Sequence, residues 1–188
     1  VEAKRVSMQK SFTNDADFLK SLDMVSVVKG FDKFNIPRVA QLSQRSNQFN
    51  LRTVRYTDAE IFAIEKNDNY VTFSFTLKDK FGDNGLICVI ILNKKNTETL
   101  FVDTWFMSCR VLKRGMENFA LNTIVEWAKI NGFKKIVGEY LPTAKNAMVE
   151  QHYPNLGFTK IEGGETMQYV LDVNSYKPFE CYIKRIIE

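Results

Sequence analysis

Seven consecutive apolar residues, Leu86 to Leu92 (LICVIIL), constrain this chain more than any other stretch. The run is too short for a spanning helix and rich in β-branched residues. It therefore reads as a strand buried on both faces, at the centre of a sheet covered on two sides. Its neighbour Tyr70–Asp79 (YVTFSFTLKD) sets Val71, Phe73, Phe75 and Leu77 against Thr72, Ser74 and Thr76. That alternation predicts a strand with one buried face. The intervening KFGDNG predicts an Asp/Asn-Gly turn between the two strands. Leu100–Cys109 (LFVDTWFMSC) predicts a further long strand.

Helices must cover both faces, and candidates are present. NDADFLKSL has a capping residue at Asn14 or Asp15, and IPRVAQLSQR starts with Pro37 near a helix N-terminus. Thr57 followed by Glu60 has capping-box spacing ahead of Ile61 and Ile64. Met116, Phe119, Ala120, Ile124, Trp127 and Ala128 form one apolar face, stopped at Gly132. TAKNAMVEQHYPNLGF predicts a short helix ended by Pro154 and Gly157. MVSVV, LRTVRY, KKIVGEYL and, last, ETMQYVLDV predict strands. The fold class expected is α/β (α+β): a mixed, mostly antiparallel twisted sheet flanked by helices.

The 188 residues suffice for one domain with a real core plus a small extra element. The net charge of +4 is spread along the chain, which argues against a nucleic-acid partner. No apolar run reaches the roughly 18 residues of a spanning helix, so no membrane partner is expected. Three widely spaced cysteines and a single histidine predict neither a disulfide framework nor a metal site. A reducing cytoplasm fits that usage. Position 1 is Val, so a piece of a longer protein is expected.

The chemistry concentrates in two places. At the junction of LFVDTWFMSC with the following helix stand Arg110, Lys113, Arg114 and Gly115. A helix N-terminus exposes unpaired N–H groups and partial positive charge, so this turn either cradles a phosphate or is an ordinary basic turn in solvent. Further on, Asn146 and Tyr153 lie two helical turns apart. Tyr153 is either a proton donor to a thiolate leaving group or a packed aromatic. Asp103 and Glu139, in neighbouring predicted strands, either orient a substrate or face solvent. Polar QRSNQFN is either a contact segment or a helix cap.

These two pieces, in this order, resemble the GNAT acyltransferase fold, in which an Arg/Gln-x-x-Gly-x-Gly/Ala turn binds the coenzyme A pyrophosphate. The chain reads Arg110-Val111-Leu112-Lys113-Arg114-Gly115, with Lys113 where the pattern has its middle glycine. Asn146, Tyr153 and Leu156-Gly157-Phe158 resemble the second signature, with Tyr153 at the general acid's place. The blocks RVAQLSQRSNQFNLRTVRYTDAEI, FGDNGLICVI, DTWFMSCRVLKRGMENFAL and YLPTAKNAMVEQHYPNLGF resemble the C-terminal part of FkbH-like proteins of methoxymalonyl-type extender-unit (polyketide) biosynthesis.

That resemblance implies a connector over 1–50, the tail of a HAD-like phosphatase domain absent from this chain, and a GNAT-like domain over 51–188. It implies acyl transfer, of a glyceryl group, involving coenzyme A or an acyl carrier protein's phosphopantetheine, with a small-molecule acyl donor and a HAD-like domain as partner. Arg110, Val111, Lys113, Arg114, Gly115, Met116 and Asn146 would line the cofactor site, and Tyr153 would act as general acid. Cys109, beside Arg110 and a helix N-terminus, is either an acyl-carrying nucleophile or a small packed residue. A docking module for the carrier protein and an amine N-acetyltransferase using acetyl-CoA are the alternatives.

Overall fold

The computed structural model describes residues 2–187. Six helices and eight strands follow in the order α1 (Glu2–Gln9), α2 (Asp15–Ser21), β1 (Met24–Lys29), α3 (Ile36–Arg45), α4 (Asp58–Lys66), β2 (Tyr70–Asp79), β3 (Gly82–Lys94), β4 (Thr99–Met107), α5 (Met116–Ile130), β5 (Lys135–Tyr140), α6 (His152–Asn155), β6 (Thr159–Lys160), β7 (Met167–Asp172) and β8 (Ile183–Ile186). All strands join one sheet in the order β6-β7-β5-β4-β3-β2-β1-β8. Five of its pairings are antiparallel; β4–β5 and β1–β8 are parallel.

The run Leu86–Leu92 lies on β3, near the centre. Cys88, Ile90 and Leu92 point into the core under α5, while Val89 and Ile91 point into a second core with Val39, Ala40, Ile61 and Ile64 of α3 and α4. Covering both faces removes the need for alternation, hence the unbroken apolar sequence. The capping box of α4 forms as expected: Glu60 N–H donates to Thr57 Oγ1 and Thr57 N–H to Glu60 Oε1. Helix α5 buries Met116, Phe119, Ala120, Ile124 and Ala128, each large side chain contributing about 1.5–3 kcal/mol. At its end Gly132 adopts φ 81°, and Phe133 N–H closes on Ala128 O.

Four expectations change. LRTVRY forms no strand: Thr53 has φ 55°, and Thr53 N–H and Tyr56 N–H donate to the side chains of Asn50 and Ser43 instead of a ladder. The β2–β3 reversal falls at Lys80–Phe81, before the Asp-Asn-Gly; Asp79 Oδ1 accepts from Phe81 N–H, and Gly85 (φ 67°) sits in a bulge of β3. TAKNAMVEQHYPNLGF splits into a 3-10 turn at Ala147–Val149 and the short α6. MQYVLD is not the last strand, because Ile183–Ile186 adds β8 parallel to β1. Within residues 2–50, β1 joins this same sheet and α3 packs on its second core.

Candidate functional site

Strands β4 and β5 pair only at Thr99↔Lys135, Leu100↔Ile136 and Phe101↔Val137, and then part. Local sequence geometry explains the parting. Opposite β3, Ile91 faces Thr104 and Leu92 faces Val102, so Asp103 is an extra residue and β4 bends there.

The gap is occupied by the chain's own residues 49–52. Met107 N–H donates to Phe49 O (3.0 Å) and Leu51 N–H to Trp105 O (3.2 Å), an antiparallel bridge centred on Asn50 and Phe106. From the other side Leu141 N–H donates to Leu51 O (2.9 Å), and Asn146 Nδ2 donates to Asn50 O (3.0 Å). Phe49 and Leu51 are buried, the Phe49 ring edge-on to His152 at 5.3 Å.

Arg52 extends this insertion into a polar cluster. Its Nε donates to Glu139 Oε1 (2.9 Å) and its Nη1 to Asp103 O (2.8 Å), with Asp103 Oδ1 at 3.5 Å; the guanidinium stacks over Phe101. Tyr56 Oη donates to Asp103 Oδ2 at 2.6 Å, and Thr104 Oγ1 donates to the same oxygen. Burial, then the bond to Asp103, push the Tyr56 phenol well above its ordinary pKa, so it remains a donor. Burial pushes Glu139 upward, but hydrogen bonds from Thr166, Gln168 and Arg52 outweigh it and hold the carboxyl below its usual value. Asp103 and Glu139 were legible as residues of neighbouring strands, and Arg52 contacts both. Arg52 and Tyr56 were missed, because LRTVRY reads as an alternating strand.

Beyond the end of β4 lies the basic turn. Ser108 Oγ accepts from Arg110 N–H, a 3-10 turn covers Cys109–Val111, and Gly115 (φ 81°) precedes α5 with open space where a Cβ would stand. Lys113 has φ 64°, a left-handed conformation that glycine adopts without the steric cost of roughly 1–2 kcal/mol a side chain incurs. The residue that breaks the motif thus keeps the motif's backbone shape. Arg110 and Lys113 are exposed. Arg114 is not available: it is buried, 3.3 Å from Asp79 Oδ2 and from Glu2 Oε2, alongside Arg5, which grips Asp79 at 2.7 and 2.9 Å. Val111 and Met116 are core side chains, so only their backbone faces the turn. Glu117 already places a half-buried carboxyl in the first turn of α5, its pKa raised by burial.

The remaining predicted residues separate. Cys109 is exposed; its thiol donates to Gln48 Oε1 (3.5 Å) and lines a cavity of about 570 Å³ with Arg45, Asn47, Ser108 and Lys145. Asn146 is fully buried and acts as a brace, with Nδ2 donating to Asn50 O and Leu141 O and Oδ1 accepting from Thr143 N–H. Tyr153 is in the core rather than on a cleft wall. Its ring presses on Gly138, its hydroxyl has no hydrogen-bond partner among the described residues, and burial drives its pKa up. Neighbouring His152 is buried too, its pKa pushed down to about 3. Among the described residues, no group of three or more His, Cys, Asp or Glu is placed to hold a metal, and no helix is long and apolar enough to cross a membrane.

A coenzyme A-type carrier therefore fits the chain in part. Arg110, Lys113 and the open backbone of Gly115 suit its phosphate end, whereas residues 49–52 fill the gap between the parted strands.

No known family model matches the chain, and no curated protein does. Solved structures do resemble it. A domain from Methanocaldococcus jannaschii superposes with a TM-score of 0.62 at 15% identity, over 80% of this chain and 99% of that one. A ribosomal-protein alanine N-acetyltransferase from Escherichia coli gives 0.59 at 13%, over 81% and 97%. The GNAT domain of a Streptomyces lividans protein (S. lividans PAT) gives 0.58 at 16%, over 77% and 89%. With β4 parting from β5 and running into a basic turn ahead of α5, the chain has the GNAT fold.

Proposed function

We propose that this chain is an acyltransferase domain that takes an acyl group from a phosphopantetheine-type thiol. Arg110 and Lys113 hold the carrier's phosphate, and the acyl end is handled at Asp103, Tyr56 and Glu139. The observation that carries this reading is the arrangement along β4: it parts from the parallel β5 after Phe101, carries a carboxylate–phenol pair on the parted stretch and runs into a basic turn. Asp103 can accept the proton of an attacking nucleophile, while Tyr56, kept protonated, can give one to the departing thiolate and recover it along its 2.6 Å bond to Asp103. Two of the three named structures, an N-acetyltransferase and a GNAT domain, share this fold, and that analogy supports acyl transfer as the reaction class.

Cys109 stands outside this chemistry. It adjoins Arg110, so a carrier held there by its phosphate brings Cys109 its phosphate end rather than its thioester end. The four FkbH-like sequence blocks support an acyl carrier protein as the physiological carrier, a glyceryl unit as the acyl group and a HAD-like domain as the partner supplying it.

A second reading, a carrier-docking module without chemistry, is favoured by the sealed Tyr153 and the filled gap. Thiol release from acetyl-CoA and from an acyl-loaded carrier protein separates the two. The transferase reading expects turnover that falls at least about 100-fold in Asp103→Asn and survives in Cys109→Ala. It also expects coenzyme A binding about tenfold weaker in Arg110→Ala. Binding without thiol release from either donor establishes the module instead.

A further inference from the structure

Resting on the reading above, we propose that Phe49–Arg52 is a displaceable internal strand, a gate that closes the β4–β5 gap in the free protein and must leave before a carrier's arm can lie there.

Three observations carry it. First, the segment is held like a strand yet belongs to none. It takes Met107 N–H and Trp105 O on one side and Leu141 N–H on the other, in a loop whose ends are fixed by caps. Each such bond contributes only about 1 kcal/mol net, so an arm that replaces them with its own amide groups loses little in the exchange. Second, the groups around the insertion are not satisfied by it. His152 Nε2 and Tyr153 Oη are buried without a hydrogen-bond partner among the described residues, a cost of roughly 1–3 kcal/mol each. His152 packs directly on Phe49, and Tyr153 lies over Gly138 of β5 where the strands have parted. An amide-bearing arm in place of Phe49–Leu51 brings the acceptors and donors these two groups lack. Third, closing the gate also occupies the reactive groups. Arg52 Nε donates to Glu139 Oε1 and its Nη1 to Asp103 O, with Asp103 Oδ1 at 3.5 Å, so its departure frees both residues from the guanidinium.

The closed gate therefore suppresses binding and chemistry together. Apparent affinity equals the intrinsic affinity multiplied by the open fraction, so loosening the gate tightens binding. That sign distinguishes the gate from ordinary core packing, whose disruption weakens binding or leaves it alone.

The test uses coenzyme A as the probe, with Phe49→Ala and the milder Phe49→Leu in the full chain, read by calorimetry and amide hydrogen exchange. Both variants are expected to bind coenzyme A more tightly than the unmodified protein, Phe49→Ala at least about tenfold. Exchange at the Leu51 amide is expected to quicken in the variants, and in the unmodified protein on adding coenzyme A. If Phe49→Ala does not fold, Phe49→Leu carries the same sign at smaller size. Equal or weaker binding by the variants, or Leu51 protected further by coenzyme A, overturns the gate and leaves the function reading standing. No binding by any of the three proteins overturns both.

Discussion

His152 is the chain's single histidine, which makes one titration separable from all others. It is buried between Phe49, Trp105 and Tyr153, with Trp105 at 4.4 Å, and its pKa falls to about 3 against about 6.5 in an unfolded chain. The unfolded state thus takes up a proton below about pH 6.5 that the folded state refuses until near pH 3. A depressed folded pKa stabilises the protein above the unfolded value, and that contribution is lost as pH falls through the window between them. Each pH unit inside the window is worth about 1.4 kcal/mol, so lowering the pH from 7 to 5 costs about 2 kcal/mol through His152 alone. With a urea slope of about 2 kcal/mol per molar, the unfolding midpoint drops by about 1 M. The assay is urea unfolding of the native chain and of His152→Leu at both pH values. Carboxylates titrate alike in the two proteins, so the difference between their pH responses isolates the imidazole. Equal midpoint shifts in both would refute the reasoning, as would an imidazole proton resonance titrating near pH 6.5 in the folded protein.

Two further substitutions test the packing around the gap and the turn. A Cβ at Gly138 would stand 2.3 Å from the Tyr153 ring, so Gly138→Ala should destabilise by about 1–3 kcal/mol in thermal unfolding, while Tyr153→Leu in the same background should restore part of the loss. Asp79 is the fully buried anion shared by Arg5 and Arg114, and Asp79→Asn leaves two guanidinium groups with only the exposed Glu2. A loss of about 3–5 kcal/mol is expected, with α1 cleaved by protease ahead of the rest; α1 equally resistant in the variant would contradict the clamp.

The two-faced burial of β3, the cap of α4 and the apolar stripe of α5 were legible because each is a local pattern with a single physical cause. Residues 50–56 were not. Their alternation mimics a strand, yet Thr53 N–H turns back to the Asn50 side chain three residues earlier and Tyr56 N–H to Ser43, thirteen residues earlier, a pairing that the alternation does not reveal. The turn at Arg110–Gly115 was placed correctly as a β-to-α junction. That Arg114 points inward was hidden, because its counter-ions Asp79 and Glu2 come from 35 and 112 residues away. Tyr153 shows the same limit: the motif gives its position in the sequence, while Gly138 on another strand decides that its ring is sealed in the core.

The rims of the sheet have a consequence for how the protein behaves at high concentration. An open sheet exposes free N–H and C=O groups along its two outermost strands, a template on which another chain can grow. Here those strands are the shortest, β6 with two residues and β8 with four. Lys160 on one rim and Lys184 and Arg185 on the other are exposed. A growing fibril would find few rungs and like charges on both sides, so the long, greasy strands at the centre remain shielded from strand-by-strand polymerisation.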